Sequence, residues 1–272
     1  MNPKTKIIKT RAEYDATAAL NCSLSKEILK SPAHGLAYLN RQREETKALR
    51  VGSAVHKLAL EGLHEFNAAY ATAPELDRRT KDGKAAFEAF TLANAGKTIL
   101  SPDESALVAA VAASAAACMR NRKIALTQTE LMFATEYEGT PIKAALDGVS
   151  ESDGFIYDLK TTEDASPAGF LKAVRSYRYN LQAYFYRFAY EVAFGIRAAG
   201  FRFLVVEKEP PFAVAVYELG PELMSYAVGD FEAALKAYKT ATALDEWPAY
   251  PDEIKVIDIT TTKTASTPIQ FA

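Results

Sequence analysis

Apolar residues in the first 126 positions recur at the three- and four-residue spacing that is typical of helices. Val51, Val55 and Leu58 share one face and predict a helix over 51–61. Capping and breaking residues add predicted helices over 25–31, 33–48 and 84–95, and one that begins at Ser101-Pro102. The polar, basic segment 73–83 is predicted to be a loop. This part of the chain is therefore expected to be mainly helical.

The pattern changes near Thr127, where strand-like segments replace the helical spacing. Three strands are predicted over 130–138, 142–150 and 155–159, and the short turns between them predict an antiparallel meander. Farther along we predict a helix over 167–194, strands over 201–206 and 212–219, and a long helix over 221–244. This order predicts an α/β fold with a central mixed β-sheet flanked by helices and a helical N-terminal layer.

The chain is expected to form one domain, because 272 residues suit one large domain or two small ones and no repeat divides them. We predict an N-terminal arm (1–20), a single domain (21–259) and a flexible C-terminal tail (260–272). Within the domain, 21–126 is the mainly helical part and 127–259 is the α/β core.

Composition and charge exclude several classes of protein. Residues in the apolar set make up 49% of the chain and charged residues 24%, which excludes a disordered or coiled-coil protein. The net charge of −2 argues against a globally basic surface that coats nucleic acid, but it allows a local basic groove. Two cysteines exclude a disulfide framework and a four-cysteine zinc site, and three histidines exclude a histidine-rich metal site.

The sequence contains no recognisable membrane or secretion signal. The longest mainly apolar stretch, 106–119, is too short to cross a bilayer and is better explained as a buried helix. The basic segment 1–11 leads into no hydrophobic segment. We therefore expect a cytoplasmic protein that does not bind membranes.

The segment 155–162 carries the most informative chemistry and reads Phe-Ile-Tyr-Asp-Leu-Lys-Thr-Thr. In a strand, Asp158 and Lys160 point to the same face. Burial disfavours both charges, so an acid and a lysine at the end of a buried strand need an explanation. The acid could bind a metal ion while the lysine acts on a water or a phosphate, or the two could form a simple ion pair. The pair alone does not decide between these.

Two further acids precede this pair. Asp147 lies on the preceding predicted strand, and Glu130 begins the first strand of the meander. Three carboxylates beside a lysine would repel one another unless a divalent cation compensated them, and a set of oxygen ligands suits Mg²⁺ or Mn²⁺. The simpler alternative is that Asp147 starts a turn with Gly148 and that Glu130 is a surface acid.

Polar side chains on two predicted helices complete the set of candidates. Gln182 and Tyr186 are four residues apart and share a helix face, where an amide and a phenol can hydrogen-bond a phosphate or a catalytic residue. The alternative is an aromatic helix that packs on the sheet, as neighbouring Phe185 does. His56 lies on a largely apolar helix, where a lone histidine is more often a core residue than a ligand.

Taken in order, these residues resemble the motifs of the PD-(D/E)XK nuclease superfamily. The upstream histidine and the downstream Q-x-x-x-Y are similar to its RecB-like branch. Three phrases, at 23–34, 49–56 and 77–84, narrow the resemblance to the RecE-type exonuclease family. It covers about residues 20–250. One departure is that no proline precedes Asp147 in this sequence.

The resemblance implies a metal-dependent deoxyribonuclease with two ions in each active site, Mg²⁺ or alternatively Mn²⁺. It assigns metal binding to the side chains of His56, Glu130, Asp147 and Asp158 and to the carbonyl of Leu159. Lys160 would orient or deprotonate the attacking water and offset charge on the phosphate. Gln182 and Tyr186 would position Lys160 or the scissile strand.

The resemblance also implies a substrate and partners. The substrate would be the ends of double-stranded DNA, degraded 5′ to 3′ to leave 3′ single-strand tails for phage-type recombination. The protein would form a ring-shaped homo-oligomer, a tetramer, and would work with a single-strand annealing protein in a bacterial or phage-infected cell.

Contacts with the DNA backbone are expected from basic residues of two segments. They are Arg78, Arg79, Lys81 and Lys84 in the first, and Lys172, Arg175 and Arg178 in the second. Each of them alone is better explained as a solvated surface charge.

Two other functions stay open. The chain could be another RecB-like nuclease of different polarity or substrate, although the CRISPR-associated kind carries an iron–sulfur cluster for which two cysteines supply too few ligands. It could also be a non-catalytic DNA-binding protein on the same fold.

Overall fold

A computed structural model describes residues 1–41, 46–254 and 256. Within these residues the α-helices are α1 Arg11–Ala16, α2 Cys22–Ile28, α3 Pro32–Asn40, α4 Lys47–His56, α5 Leu63–Ala69, α6 Lys81–Ala93, α7 Pro102–Asn121, α8 Pro167–Tyr177, α9 Tyr179–Phe194 and α10 Pro221–Leu244. A π-helical segment, Lys57–Glu61, directly follows α4. The strands are β1 Lys6–Ile8, β2 Tyr70–Thr72, β3 Thr98–Leu100, β4 Gln128–Tyr137, β5 Thr140–Val149, β6 Phe155–Thr162, β7 Gly200–Glu207 and β8 Val214–Glu218.

One six-stranded sheet organises the described part of the chain. Its strand order is β1-β4-β5-β6-β7-β8, and the pairs are antiparallel except for parallel β6 and β7. The helical connection between β6 and β7 provides the crossover that a parallel pair requires. A small parallel sheet, β2 with β3, lies apart from it. The predicted α/β fold with a central mixed sheet is confirmed.

Two large apolar cores cover most of the two faces of this sheet, and a small third cluster lies around Met132. On one face, Leu181 and Phe185 of α9 pack with Ile156 and Phe203 of the sheet. On the other face, residues of α4 and α7, such as Val55 and Val111, pack with Leu159 and Leu204. Neighbouring residues of β6 therefore alternate between two buried environments, which explains why the strand reads as a nearly continuous apolar run.

The predicted start of the first helix and the predicted helix 33–48 are wrong. Helix α2 begins at Cys22 because the side chain of Asn21, rather than Ser25, accepts the capping hydrogen bond from the Leu24 amide. Helix α3 ends at Asn40, where Arg41 is extended. Lys47 and Ala48 belong instead to α4, which Thr46 caps.

Caps also decide where α6 and α7 begin. Thr80 accepts a hydrogen bond from the Gly83 amide, so α6 begins inside the segment predicted as a loop. Ser101 and Glu104 form the reciprocal capping box of α7, which confirms the predicted start at this position.

The predicted helix 167–194 is interrupted. Arg178 has φ 49° and ψ 51°, which ends α8 at Tyr177 and begins α9 at Tyr179. Neither glycine nor proline marks this position, so the local sequence does not predict the break. The other long elements, β4 to β8 and α10, lie where the patterns predict them, within a few residues.

The structure describes the predicted N-terminal arm but not the predicted C-terminal tail. Residues of the predicted N-terminal arm form β1, which pairs with β4 at the edge of the sheet, and the short helix α1. The predicted C-terminal tail, 260–272, lies outside the described residues. No helix in the described part of the chain is both long and apolar enough to cross a bilayer.

Candidate active site

The candidate site lies where β5 and β6 separate. The two strands pair only at Gly148–Tyr157 and Val149–Ile156. Asp147 and Asp158 come next on their strands, beyond the last pair. The Leu159 amide donates to Oδ2 of Asp147 at 2.8 Å instead of continuing the ladder. Because β5 and β6 separate here, a space lies between the two acids that regular strand pairing would eliminate.

An irregular backbone aims the acids of β4 and β5. Leu146 and Val149 belong to the same core although residues three apart in a regular strand face opposite sides. On β4, opposite Asp147 of β5, Glu130 has a φ of 48°, which lies in the left-handed region. Such a conformation costs a non-glycine residue about 1–3 kcal/mol and is typical of functional sites. The local irregularity therefore re-aims side chains at this end of the sheet.

Three side chains converge there: His56, Glu130 and Asp147. One potential ligand atom from each lies within 4.8 Å of the others. His56 Nδ1 is 3.3 Å from Asp147 Oδ2. Burial and the Asp147 carboxylate raise the pKa of Glu130, and His56 and Arg11 only partly offset this. Two carboxylates and an imidazole held this close form a donor set that suits a divalent cation.

Asp158 is not part of this three-residue group. Its side chain is almost completely buried, and Oδ1 accepts a hydrogen bond of 2.7 Å from Gln182 Nε2 of α9. Oδ2 forms a close ion pair with Lys160 Nζ but accepts no hydrogen bond of normal geometry from the described residues. A buried carboxylate oxygen in this state retains a lone pair that could bind a cation.

The ion pair is strongly perturbed by its environment. Burial raises the pKa of Asp158 to about 6, although Lys160 opposes the shift. Burial acts to lower the pKa of Lys160, but the carboxylates of Asp158 and Asp147 outweigh it and raise that pKa to about 12. Lys160 is therefore protonated at neutral pH and can offset negative charge, whereas in this state it cannot deprotonate a water.

The predicted Gln182–Tyr186 face divides into two environments. Gln182 contacts Asp158 rather than Lys160. The Tyr186 ring packs near Phe201, and its hydroxyl has no hydrogen-bond partner among the described residues. Burial raises the pKa of Tyr186 well above its usual value. The structure thus gives Gln182 a polar contact in the site. Tyr186 lies near enough for the carboxylates of Asp158 and Asp147 to act on its hydroxyl, and its positioning role stays a prediction.

Lys26 of α2 is a nearby cation that the sequence analysis did not select. Its Nζ lies 5.6 Å from the centroid of the Tyr179 ring, and Lys160 Nζ lies 5.0 Å from the same centroid. Burial lowers the pKa of Lys26, and no described residue forms an ion pair with it. Its position within the phrase at 23–34 was the available signal.

The predicted DNA-binding residues fall in two places. In the first segment, Arg79 pairs with Asp77 and Arg78 lies over the Phe87 ring, while Lys81 and Lys84 are exposed at the start of α6. In the second segment, Arg178 forms an ion pair with Asp230, while Lys172 and Arg175 are exposed on α8. Lys172 also lines a cleft that Lys160 lines. The second segment is thereby connected with the site.

Comparison with known proteins gives a family and a fold. Residues 21–260 match the family described as "PDDEXK-like domain of unknown function (DUF3799)". No curated protein matches the chain. A crystal structure from Eubacterium rectale, named "Putative exonuclease", is similar with a TM-score of 0.62 and 15% identity, covering 94% of this chain and 98% of that one. At this identity the likeness shows a shared fold.

A second solved structure is more distant. It is a phage related exonuclease from Haemophilus somnus 129PT, with a TM-score of 0.35 and 15% identity over 84% of this chain and 96% of that one. With a TM-score this low, the similarity supports no conclusion about the present chain.

Proposed function

Because this chain belongs to the PDDEXK-like domain family, we propose that it is a nuclease that hydrolyses DNA phosphodiesters with divalent metal ions. The observation that carries the proposal is the convergence of His56, Glu130 and Asp147 beside the buried Asp158–Lys160 pair. The predicted membership of the PD-(D/E)XK superfamily is confirmed, while the narrower RecE-type resemblance stays a prediction.

The donor set fits a divalent ion. His56, Glu130 and Asp147 would hold it, and Oδ2 of Asp158, which is paired with Lys160, could add an oxygen. Bound Mg²⁺ or Mn²⁺ would polarise the phosphodiester and generate a nucleophile from water at neutral pH. We propose Mg²⁺, with two ions in the site and the Leu159 carbonyl as a further ligand, on the basis of the family resemblance.

Residues of the chain would perform the remaining tasks. Lys160, held protonated by its acidic neighbours, would stabilise the negative charge that develops on the phosphate. Gln182 would hold Asp158 in place through Oδ1, and the Leu159 amide would hold Asp147 through Oδ2. Hydrogen bonds of this kind orient metal-binding carboxylates and raise the precision of a site.

The finer function is proposed from the RecE-type phrases in the sequence. We propose an exonuclease that acts on double-stranded DNA ends, 5′ to 3′, leaves 3′ single-strand tails for phage-type recombination, and works as a ring-shaped tetramer with a single-strand annealing protein. The exonuclease name of the Eubacterium rectale protein agrees with this proposal. A ring would also compensate for the weak electrostatic attraction between DNA and a chain of charge −2.

An iron–sulfur RecB-like nuclease is disfavoured by where the cysteines lie. Cys22 belongs to the core on the α9 face of the sheet, while Cys118 packs against the core on the α7 face. The two thiols therefore cannot bind one cluster. A non-catalytic DNA-binding protein would not need both a convergent acid group and a buried lysine, so we place this function second.

The test uses linear duplex DNA labelled at the 5′ or the 3′ end, incubated with Mg²⁺ or with EDTA, and a covalently closed circle of the same sequence. We expect Mg²⁺-dependent release of the 5′ label first and an intact circle. Release of the 3′ label first would overturn the polarity, and cutting of the circle would overturn the need for an end. If no DNA is hydrolysed under any of these conditions, the proposed nuclease activity is overturned.

A further inference from the structure

A cleft of about 360 Å³ lies beside the candidate active site and has no part in the reaction proposed so far. Its lining includes Lys160, Lys172, Ser176, Tyr177, Tyr179 and Lys208. We call it the Lys160 cleft. Because Lys160 belongs to both places, a molecule in the cleft reaches the lysine that is assigned to the reacting phosphate.

Two tyrosines form the aromatic part of the Lys160 cleft. The rings of Tyr177 and Tyr179 stack with centroids 5.6 Å apart and planes inclined by 30°. Residues two apart in a continuous helix do not face each other. The left-handed conformation of Arg178, between the two helices, is what brings the rings together.

The junction is held in this conformation. A non-glycine residue in the left-handed region is strained, and Arg178 forms an ion pair of 2.6 Å with Asp230 of α10. Core packing does not explain the arrangement, since the Tyr177 side chain is 61% exposed. A held, strained junction that presents an exposed ring is typical of a binding site.

The chemistry of the cleft suits one nucleotide. The Tyr179 ring stacks with the exposed Tyr177 ring, and Lys160 Nζ lies 5.0 Å from the centroid of the Tyr179 ring. An exposed aromatic ring binds a nucleobase by stacking, and neighbouring lysines bind the phosphate backbone. Lys172 has no ion-pair partner among the described residues, and Lys208 has only the exposed Glu163 at 3.6 Å.

The acids of the cleft do not cancel this charge. The carboxylate of Asp164 accepts hydrogen bonds from the Ser166 amide and is thereby held at the start of α8. Glu163 is 88% exposed and can turn to solvent. The lining holds three lysines, Lys160, Lys172 and Lys208, against these two acids.

We propose that the Lys160 cleft binds one unpaired nucleotide of the strand being cut, with its base stacked on Tyr177 and its phosphate beside Lys172 and Lys208. This inference rests on the proposed nuclease function. A cleft of this volume is of small-ligand size and excludes a duplex. The strand would therefore separate from its complement before hydrolysis.

The first test measures single-turnover hydrolysis of duplexes that carry one abasic position, moved stepwise along the cut strand. Tyr177→Ala should slow hydrolysis of intact DNA by about 5- to 100-fold, the usual range for loss of one stacked base. At one abasic position the variant and the wild type should react equally. Tyr177→Phe keeps the ring and should recover most of the loss, while Tyr226→Ala, which removes a comparably exposed tyrosine from α10, should retain the wild-type rate. Unchanged hydrolysis by Tyr177→Ala, or an equal loss at every abasic position, would overturn the proposal.

The second test separates this inference from the nuclease itself. Fluorescence anisotropy with a labelled single-stranded oligonucleotide and Mg²⁺, in an Asp147→Asn background, measures binding without turnover. Tyr177→Ala should weaken binding by about 5- to 100-fold relative to Tyr226→Ala. If the wild type cleaves no DNA but this difference in affinity is found, the proposed nuclease activity is overturned and the proposed nucleotide site is supported. Equal affinities of the two variants would overturn the nucleotide site.

Discussion

The backbone amide of Leu159 donates to Oδ2 of Asp147 at a point where their two strands no longer pair. His56 Nδ1 approaches the same oxygen at 3.3 Å. Oδ1 of Asp147 accepts no hydrogen bond from the described residues. One oxygen thus fixes the carboxylate while the other is available to a ligand, which is the arrangement that a metal-binding acid needs.

Asp147→Asn should abolish hydrolysis while the protein stays folded. The amide oxygen can still accept the Leu159 hydrogen bond, but a negative charge that repels Glu130 is lost. We expect at least a hundredfold loss of turnover, about 2.7 kcal/mol or more of transition-state stabilisation, and an unchanged or higher melting temperature in EDTA. Calorimetry and a DNA hydrolysis assay measure the two effects. Glu246→Gln, an exposed acid beyond α10, is the control. Near wild-type cleavage by Asp147→Asn contradicts the metal assignment.

Lys160→Met should reduce turnover by about a hundredfold or more, because it removes a charge that stabilises the transition state. Mg²⁺ affinity, measured by titration calorimetry, should fall much less than in Asp147→Asn. Lys160→Arg keeps the charge and should recover part of the rate. If Lys160→Met lost Mg²⁺ binding as completely as Asp147→Asn, the lysine would be only a structural counter-charge.

Gln182→Ala should reduce turnover by about 10- to 100-fold, the usual effect of losing a hydrogen bond that orients a metal-site carboxylate. Tyr186→Phe is the matched control from the next turn of α9, since its hydroxyl has no partner among the described residues. We expect it to leave the rate nearly unchanged. A large loss in Tyr186→Phe would show that the phenol contacts the substrate, as the sequence analysis suggested.

Asp158 should make the metal-free protein less stable as pH rises from about 4 to about 6. Its folded pKa of about 6 exceeds its unfolded value, so the folded state binds more protons in this window. The stabilisation is present below about pH 4 and lost above about pH 6. Lys160 stays charged throughout and does not alter the slope.

Urea unfolding in EDTA at several pH values measures this effect. Other carboxyl groups titrate in the same range, so the informative quantity is the difference between wild type and Asp158→Asn. The wild type should lose stability relative to the variant as pH rises. A constant difference across the window would mean that Asp158 titrates normally.

The sequence was sufficient for the fold and for the residues that converge in the candidate site because its signals were local. Ser101 and Glu104 are spaced for a capping box, and the pattern of Asp158 and Lys160 on an apolar strand needed a chemical explanation. The order of the acids then led to the superfamily that the family match confirms. These features depend on neighbours a few residues apart.

Features that depend on distant contacts were missed. The break at Arg178 is stabilised by Asp230, more than fifty residues away. Residues of β1 form a strand only because the edge of β4 offers hydrogen bonds. Lys26 and Tyr177 are relevant to the site because each lies beside the ring of Tyr179, which belongs to a different helix. Spacing along the chain carries no information about such pairs.

The central claim is that His56, Glu130 and Asp147 bind a divalent ion that is required for DNA hydrolysis. It is tested most directly by titrating Mg²⁺ into wild type and Asp147→Asn while following single-turnover hydrolysis of a linear duplex. We predict that wild-type hydrolysis rises from zero in EDTA to saturation with Mg²⁺, and that Asp147→Asn stays inactive or needs far more Mg²⁺. Hydrolysis in EDTA, or the same Mg²⁺ dependence in both proteins, would contradict the claim.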